Sequence, residues 1–482
     1  MTPNKCFGLK GMLAASALFG ALLAAGQAQA AATIVINNLN AAGVGFNDPT
    51  PVAQIGGNTG GTLGEQRLIA FSYAANLWGA TLTSTQPIII NAQFSALTCT
   101  ASSAVLGSAG ATSIFRNFPN APKANTWYSY ALANKISGVY LGTANAAQIN
   151  ANFNVNLGQP GCLDGSFFYL GLDGQHGTLV DFVAVLQHEM AHGLGFQTFT
   201  NGSSGAQNGG FPAIWDHYLL GTATGLLWKD MSNAQRAASA ISVDKLVWTG
   251  PIVNTAVPAV LRVGTPGATV SGPAAGAAAG AMLVGEASFG APIGATPLFG
   301  ELMPVVDQLD GNTGLACSPL SAANSRAVLG KLALVDRGTC AFAVKVKNAQ
   351  NAGAIGVLVA DNAAGSPPPG LGGSDPSITI TSVRVTQADG VKLKAALKKR
   401  SRTASGVYVS LGISGSQYSG ADVLGRALMY APNPFASGSS VSHFDTTMFR
   451  NQLMEPSING DLTQSVLPPL DLTFPLLQDI GW

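Results

Sequence analysis

Five consecutive residues, His188-Glu189-Met190-Ala191-His192, set two imidazoles four positions apart with a carboxylate beside the first. On a helix, that spacing puts both rings on one face, about 5–6 Å apart at Cβ, so both reach one zinc ion. Glu189 then stands where it can take a proton from water held at that metal. With five histidines and five glutamates in 482 residues, the pattern arises by chance at a frequency of roughly 5 in 10,000. The chemistry of such a trio is metal-assisted hydrolysis. The bland alternative is two satisfied core histidines.

A catalytic zinc takes three protein ligands and keeps one position open. The remaining histidines are His176, His217 and His443. A nearby downstream glutamate is excluded, because none occurs between Glu189 and Glu286, and Thr198 fills the place where a third histidine shortly after the helix would stand. The third ligand therefore arrives from farther along the chain. His443, His217 and Asp216 are the candidates there, and His176, just before the helix, is a further rival.

The elements that must position these groups are legible in outline. Thr178 and Asp181 are spaced as a capping box before the apolar run Phe182-Val183-Ala184-Val185-Leu186, and the helix should stop at Gly193 or Gly195. Upstream, periodicity predicts strands from Thr33 and over 87–94, 137–142 and 167–172, and helices over 65–79 and 144–153. That is a mixed sheet with covering helices. Downstream, 201–210 reads as a loop, 211–220 as ordered, and 264–282 as a stretch rich in Gly, Ala and Pro. Strand, helix, strand, strand and helix then follow closely over 331–340, 342–354, 355–362 and 378–397, a self-sufficient unit. The last residues, Asp471 to Trp482, predict a closing helix.

Composition narrows the class. Charged residues are 10% of the chain and the net charge is +1, which excludes the electrostatic footprint of a nucleic-acid binder. With 47% hydrophobic residues the chain is not disordered. Lys5 and Lys10, the apolar run Met12 to Ala25, and Ala28-Gln29-Ala30 have the layout of a secretory signal over 1–30. No later segment has the length to span a bilayer, so the expectation is a secreted protein, extracellular or periplasmic. Export leaves Cys99, Cys162, Cys317 and Cys340, an even number that reads as two disulfides. Of three pairings, the local one (Cys99–Cys162 and Cys317–Cys340) keeps each bridge within one unit.

Taken together, His188-Glu189-Met190-Ala191-His192-Gly193-Leu194-Gly195-Phe196, Ser442-His443-Phe444-Asp445, Leu453-Met454-Glu455-Pro456 and the C-terminal Asp479-Ile480-Gly481-Trp482 resemble a leishmanolysin-type metzincin. The resemblance implies zinc held by His188, His192 and His443, with Glu189 as general base and Met454 in the turn beneath the metal. Met429 also looks like Met-turn text, but it precedes His443. The span from Gly195 to His443 exceeds the family's usual insertion. Within it, 331–362, with Asp336-Arg337-Gly338-Thr339-Cys340 and Asn348-Ala349, resembles a protease-associated (PA) domain, a kind that does no chemistry and covers or presents substrates or binds partners. The expected fold class is α+β: a metzincin-like zinc-peptidase domain, mixed sheet plus active-site helix, interrupted by an α/β PA domain. Its parts are 1–30 (signal), 31–256 (helix with the two histidines), 257–412 (insert) and 413–482 (third histidine, Met-turn, closing helix). The implied activity is Zn2+-dependent endopeptidase action on protein or peptide substrates. The competing reading is a zinc-fold protein of little activity that binds partners through its PA domain.

Overall fold

Ile34–Asn38, Ile88–Ser95 and Ile149–Asn154 alternate apolar and polar residues, and their inward sets (Ile88, Ile90, Ala92, Phe94; Ile149, Ala151, Phe153) enter one core. The first two pair in parallel, the second and third in parallel, and Gly107–Ala111 adds antiparallel to Ile149–Asn154 as the edge strand. These facts come from a computed structural model that describes residues 31–294, 296–306, 314–458 and 461–482. The signal expected over 1–30 lies outside those residues. Among them, no helix is long and apolar enough to cross a membrane.

Two helices cover this sheet. Leu63–Thr81 starts at a true capping box, Thr62 with Glu65, two residues before the predicted start. Its Trp78 Nε1–H donates to the Gln187 carbonyl at 3.2 Å, tying it to the histidine-bearing helix. That helix runs Phe182–Leu194. Its cap differs from the predicted box: Asp181 is the N-cap and accepts from the Val183 and Ala184 amides at 2.9 and 3.3 Å, while the Thr178 hydroxyl is engaged elsewhere. The helix ends as predicted, with Gly195 at φ +127°, a conformation that disfavours a side chain. Gly193 serves closeness instead, since a Cβ there would lie 2.4 Å from Ile149 Cγ2.

Two predicted elements are overturned. The strand expected over 137–142 is not one: Tyr130–Ser137 is a helix, closed by Gly138 in the left-handed conformation, and the apolar residues after it form turns. The helix expected over 144–153 is instead the strand Ile149–Asn154. Alanines at 144–147 suggested a helix, but Ile149, Ala151 and Phe153 alternate with outward asparagines, and burial of that face decides the outcome.

Residues 263–418 form a second sheet. Its order is Gly280–Leu283, Val263–Ser271, Tyr408–Tyr418, Leu298–Pro304, Leu332–Asp336, Gly356–Ala360, Thr381–Val385, Gly285–Glu286. The run 280–286 pairs with Val263–Ser271 through its first part and with Thr381–Val385 through its second, so the sheet closes on itself. Leu332, Leu334 and Leu358 enter one core of this unit, and Ala333, Val335, Val357 and Val359 the other, the period of two expected of strands. The helices Phe342–Asn351 and Gln387–Ala396 stand where the sequence placed them. Both disulfides take the local pairing, Cys99–Cys162 and Cys317–Cys340. The closing helix is Thr473–Ile480.

Candidate metal centre

His188 and His192 project from one face of the Phe182–Leu194 helix, and His443 arrives from a segment 251 residues beyond His192. Backbone bonds set that segment: the Tyr430 amide donates to the His443 carbonyl and the Phe444 amide to the Met454 carbonyl, each at 2.9 Å. His443 Nε2 lies 3.2 Å from His192 Nε2 and 3.3 Å from His188 Nε2.

These short nitrogen contacts are not hydrogen bonds. Each ring has its Nδ1 against a carbonyl oxygen: Leu453 for His188 at 2.6 Å, Phe196 for His192 at 2.8 Å and Ser439 for His443 at 2.8 Å. Nδ1 must therefore carry the proton, which leaves every Nε2 a bare lone pair. Burial opposes a second proton: it pushes His188 down to about 4 and His192 to about 3, the latter helped by the His188 charge, and it holds His443 well below its ordinary value. Three lone pairs facing one another repel unless a cation lies between them. A tetrahedral zinc with Zn–N of ~2.0–2.1 Å separates its ligand nitrogens by about 3.3 Å, the spacing seen here. The residues fit that ion.

The orienting groups were not legible as such. The Leu453 amide donates to Asp471 Oδ2 at 2.6 Å, and the Leu472 amide to Gln452 Oε1 at 2.9 Å, so the chain entering the closing helix holds the turn whose carbonyl orients His188. Such outer partners fix ring orientation and tautomer. Met454 is fully buried in this turn. Ser129 Oγ–H and Trp482 Nε1–H both cap the Leu194 carbonyl, at 3.0 and 2.8 Å.

Glu189 is 6% exposed, and burial pushes its carboxyl up to about 8, against a lowering hydrogen bond from the Ala109 amide. Gly107 leaves room for it: a Cβ there would stand 2.9 Å from Glu189 Cγ and Oε1. The other candidates are elsewhere. His217 Nε2 meets Thr126 Oγ1 at 3.1 Å, and His176 Nδ1 faces the Leu179 carbonyl at 2.8 Å. Buried Asp216 accepts from the Thr198 and Thr200 hydroxyls. Met429 bridges to Phe444 in the backbone beside the site. Among the described residues, His188, His192 and His443 are the one such group able to hold a metal ion. They line a cleft of about 840 Å³ together with Glu189.

Residues 299–393 match the family model of the PA domain. The chain is 56% identical over 50 residues to the human ER degradation-enhancing alpha-mannosidase-like protein 3, covering 10% of this chain and 5% of that protein. It is 39% identical over 69 residues to the minor extracellular protease Vpr of Bacillus subtilis, 14% of this chain and 8% of the relative. With vacuolar-sorting receptor 3 of Arabidopsis thaliana it shares 47% identity over 72 residues, 13% and 12% of the two chains. Each match thus spans a small fraction of its relative. Among solved structures, a zinc aminopeptidase from Bacillus subtilis aligns at 20% identity with a TM-score of 0.22, over 35% of this chain and 37% of that one. At that score the likeness bears on neither the fold nor the activity of this chain.

Proposed function

We propose that the protein is a secreted zinc-dependent endopeptidase of the leishmanolysin-like, metzincin kind. The reading rests on one observation above others: three imidazoles, each with its proton committed to a backbone carbonyl, aim bare Nε2 atoms at a common point. His188, His192 and His443 hold the ion. When bound, zinc lowers the pKa of water towards ~7 and polarises a carbonyl. Glu189 is the general base, taking a proton from the attacking water and delivering it to the leaving amine. Its buried setting keeps the proton affinity high, and positive charge nearby favours the carboxylate, so loading the site lowers its value into the working range. The Met454 turn acts by presenting the Leu453 carbonyl to His188. No fourth protein ligand closes the group among the described residues, which suits a catalytic rather than a structural site.

Proteins or peptides are the expected substrates. The test is hydrolysis of a fluorogenic peptide library by the purified protein, repeated after chelation and after zinc is restored. Activity that survives complete zinc removal rejects the reading.

A further inference from the structure

The metal-site cleft is not built from the histidine-bearing unit alone. Ser288, Pro369, Gly370, Gly372, Gly373 and Arg384, all within 263–418, line it as well. The loop that carries four of these is anchored from behind. Leu371 is fully buried, its amide donates to the Glu286 carbonyl at 3.0 Å, and Ser288 Oγ–H donates to the Gly373 carbonyl at 2.9 Å. It is also fastened across the cleft: Ser374 Oγ–H donates to Thr178 Oγ1 at 2.7 Å, and the Asn433 amide to the Ser366 carbonyl at 3.2 Å. Thr178 lies just before the helix of His188 and His192, so loop and metal ligands share a frame.

Two glycines form this stretch of the wall; a Cβ at Gly373 would meet Phe289 and Ala343 of the insert's own core. Gly372 and Gly373 are half-exposed, and their amides have no partner among the described residues. The segment Ala104 to Ala109, whose end reaches Glu189, lines the same cleft. Unpaired amide donors on a bare glycine surface fit the carbonyl oxygens of another backbone, and an anchored loop forms that site without an ordering cost.

We propose that the inserted unit supplies the far wall of the substrate cleft, with the Gly372 and Gly373 amides binding the backbone of an extended, flexible polypeptide. This rests on the peptidase reading above. A chain gripped on both sides must be thin, so folded protein surfaces are excluded and unstructured segments are selected.

The test is hydrogen exchange on the full zinc-loaded chain with and without a peptide hydroxamate that is not cleaved. The Gly372 and Gly373 amides should exchange freely alone and slow by about tenfold or more with the peptide probe. Acetohydroxamate, which reaches only the metal, should leave them unchanged. Gly372→Leu provides a second reading, since a Cβ there makes only an ordinary 3.4 Å contact with Leu163; it should raise KM for peptides at least about tenfold with zinc content unchanged. Should that variant fail to fold, the exchange measurement on the unaltered protein decides. Protection of 104–109 without 372–373 overturns the wall while leaving the peptidase intact. A protein that cleaves no peptide and binds no hydroxamate overturns both.

Discussion

Replacing Glu189 by Gln in the metal-free protein should shift stability in the variant's favour as pH rises. Burial holds the Glu189 carboxyl at about 8 against an ordinary 4.5. Between those values the native state binds more protons than the unfolded chain. The stability this group contributes is therefore complete below pH 4.5 and lost as pH rises through 8. At about 1.4 kcal/mol per pKa unit, the whole loss is about 5 kcal/mol, of which about 3 kcal/mol has accrued by pH 7. Glutamine preserves the shape in a site where Gly107 leaves no slack, yet cannot ionise. It leaves an amide N–H short of a partner, at about 1–3 kcal/mol, but that penalty is the same at every pH. The slope, not the offset, is thus the readout. Urea unfolding of both chelated proteins, from about pH 5 to about pH 8, should show the difference widening by several kcal/mol with unchanged m-values. Parallel curves would mean that the carboxylate is paired or solvated in the fold, and the account of a desolvated base would fall.

The same substitution should leave zinc bound but reduce kcat by at least ~10²-fold, the scale of a lost general base. His443→Ala should lose zinc on dialysis, while His217→Ala and His176→Ala keep it; full occupancy in the first with loss in either other would move the site. Chelation should also expose the histidines' depressed values, about 4 for His188 and about 3 for His192. Because the unfolded chain takes up those protons below about pH 6.5, the metal-free protein should lose thermal stability, relative to a His188→Gln, His192→Gln variant that keeps the same buried carboxyls, as pH falls from there towards 4. A difference in midpoint that stays constant over that window, by differential scanning calorimetry, counts against neutral rings.

Side-chain chemistry in short local patterns was readable, and tertiary geometry was not. The two helix histidines follow from the spacing of His188 and His192 because a helix converts spacing into direction. His443 was reached only through resemblance, as no local rule brings residues 251 apart to 3.2 Å. Leu453 and Asp471 act through a backbone carbonyl and a carboxylate that holds the turn presenting it, and backbone atoms leave no mark in residue type. The failed helix over 144–153 has a similar cause: alanine favours helix locally, but the sheet buries Ile149, Ala151 and Phe153 and prevails. Thr178 shows a third kind of miss. Its spacing to Asp181 fits a cap, yet its hydroxyl accepts from Ser374 across the cleft.

The boundaries of the inserted unit lead to the sharpest contrast. Sequence text placed them at 257 and 412, but residue 257 falls within the helix Pro251–Val260 and residue 412 within the strand Tyr408–Tyr418. We propose junctions at Arg262 and Ser419 instead. The Ser419 amide donates to the Arg262 carbonyl at 2.8 Å, and Val263 pairs with Tyr418, so the chain leaves and returns at one point. The buried core around the histidine helix passes from Leu261 to Ala421 with no buried member between them, and the two cores of the insert lie wholly within 268–411. Deleting 263–418 therefore removes no buried residue of that core and no proposed ligand, and the joined protein should fold and bind zinc. Deleting 257–412 should not fold. It strips Val257, Val260 and Leu261 from the core, at about 2 kcal/mol each, a sum comparable to the whole stability of a small domain. Circular dichroism and zinc content on both deletions decide the matter. A 263–418 deletion that is unfolded and free of zinc would show that the two units share more than a junction.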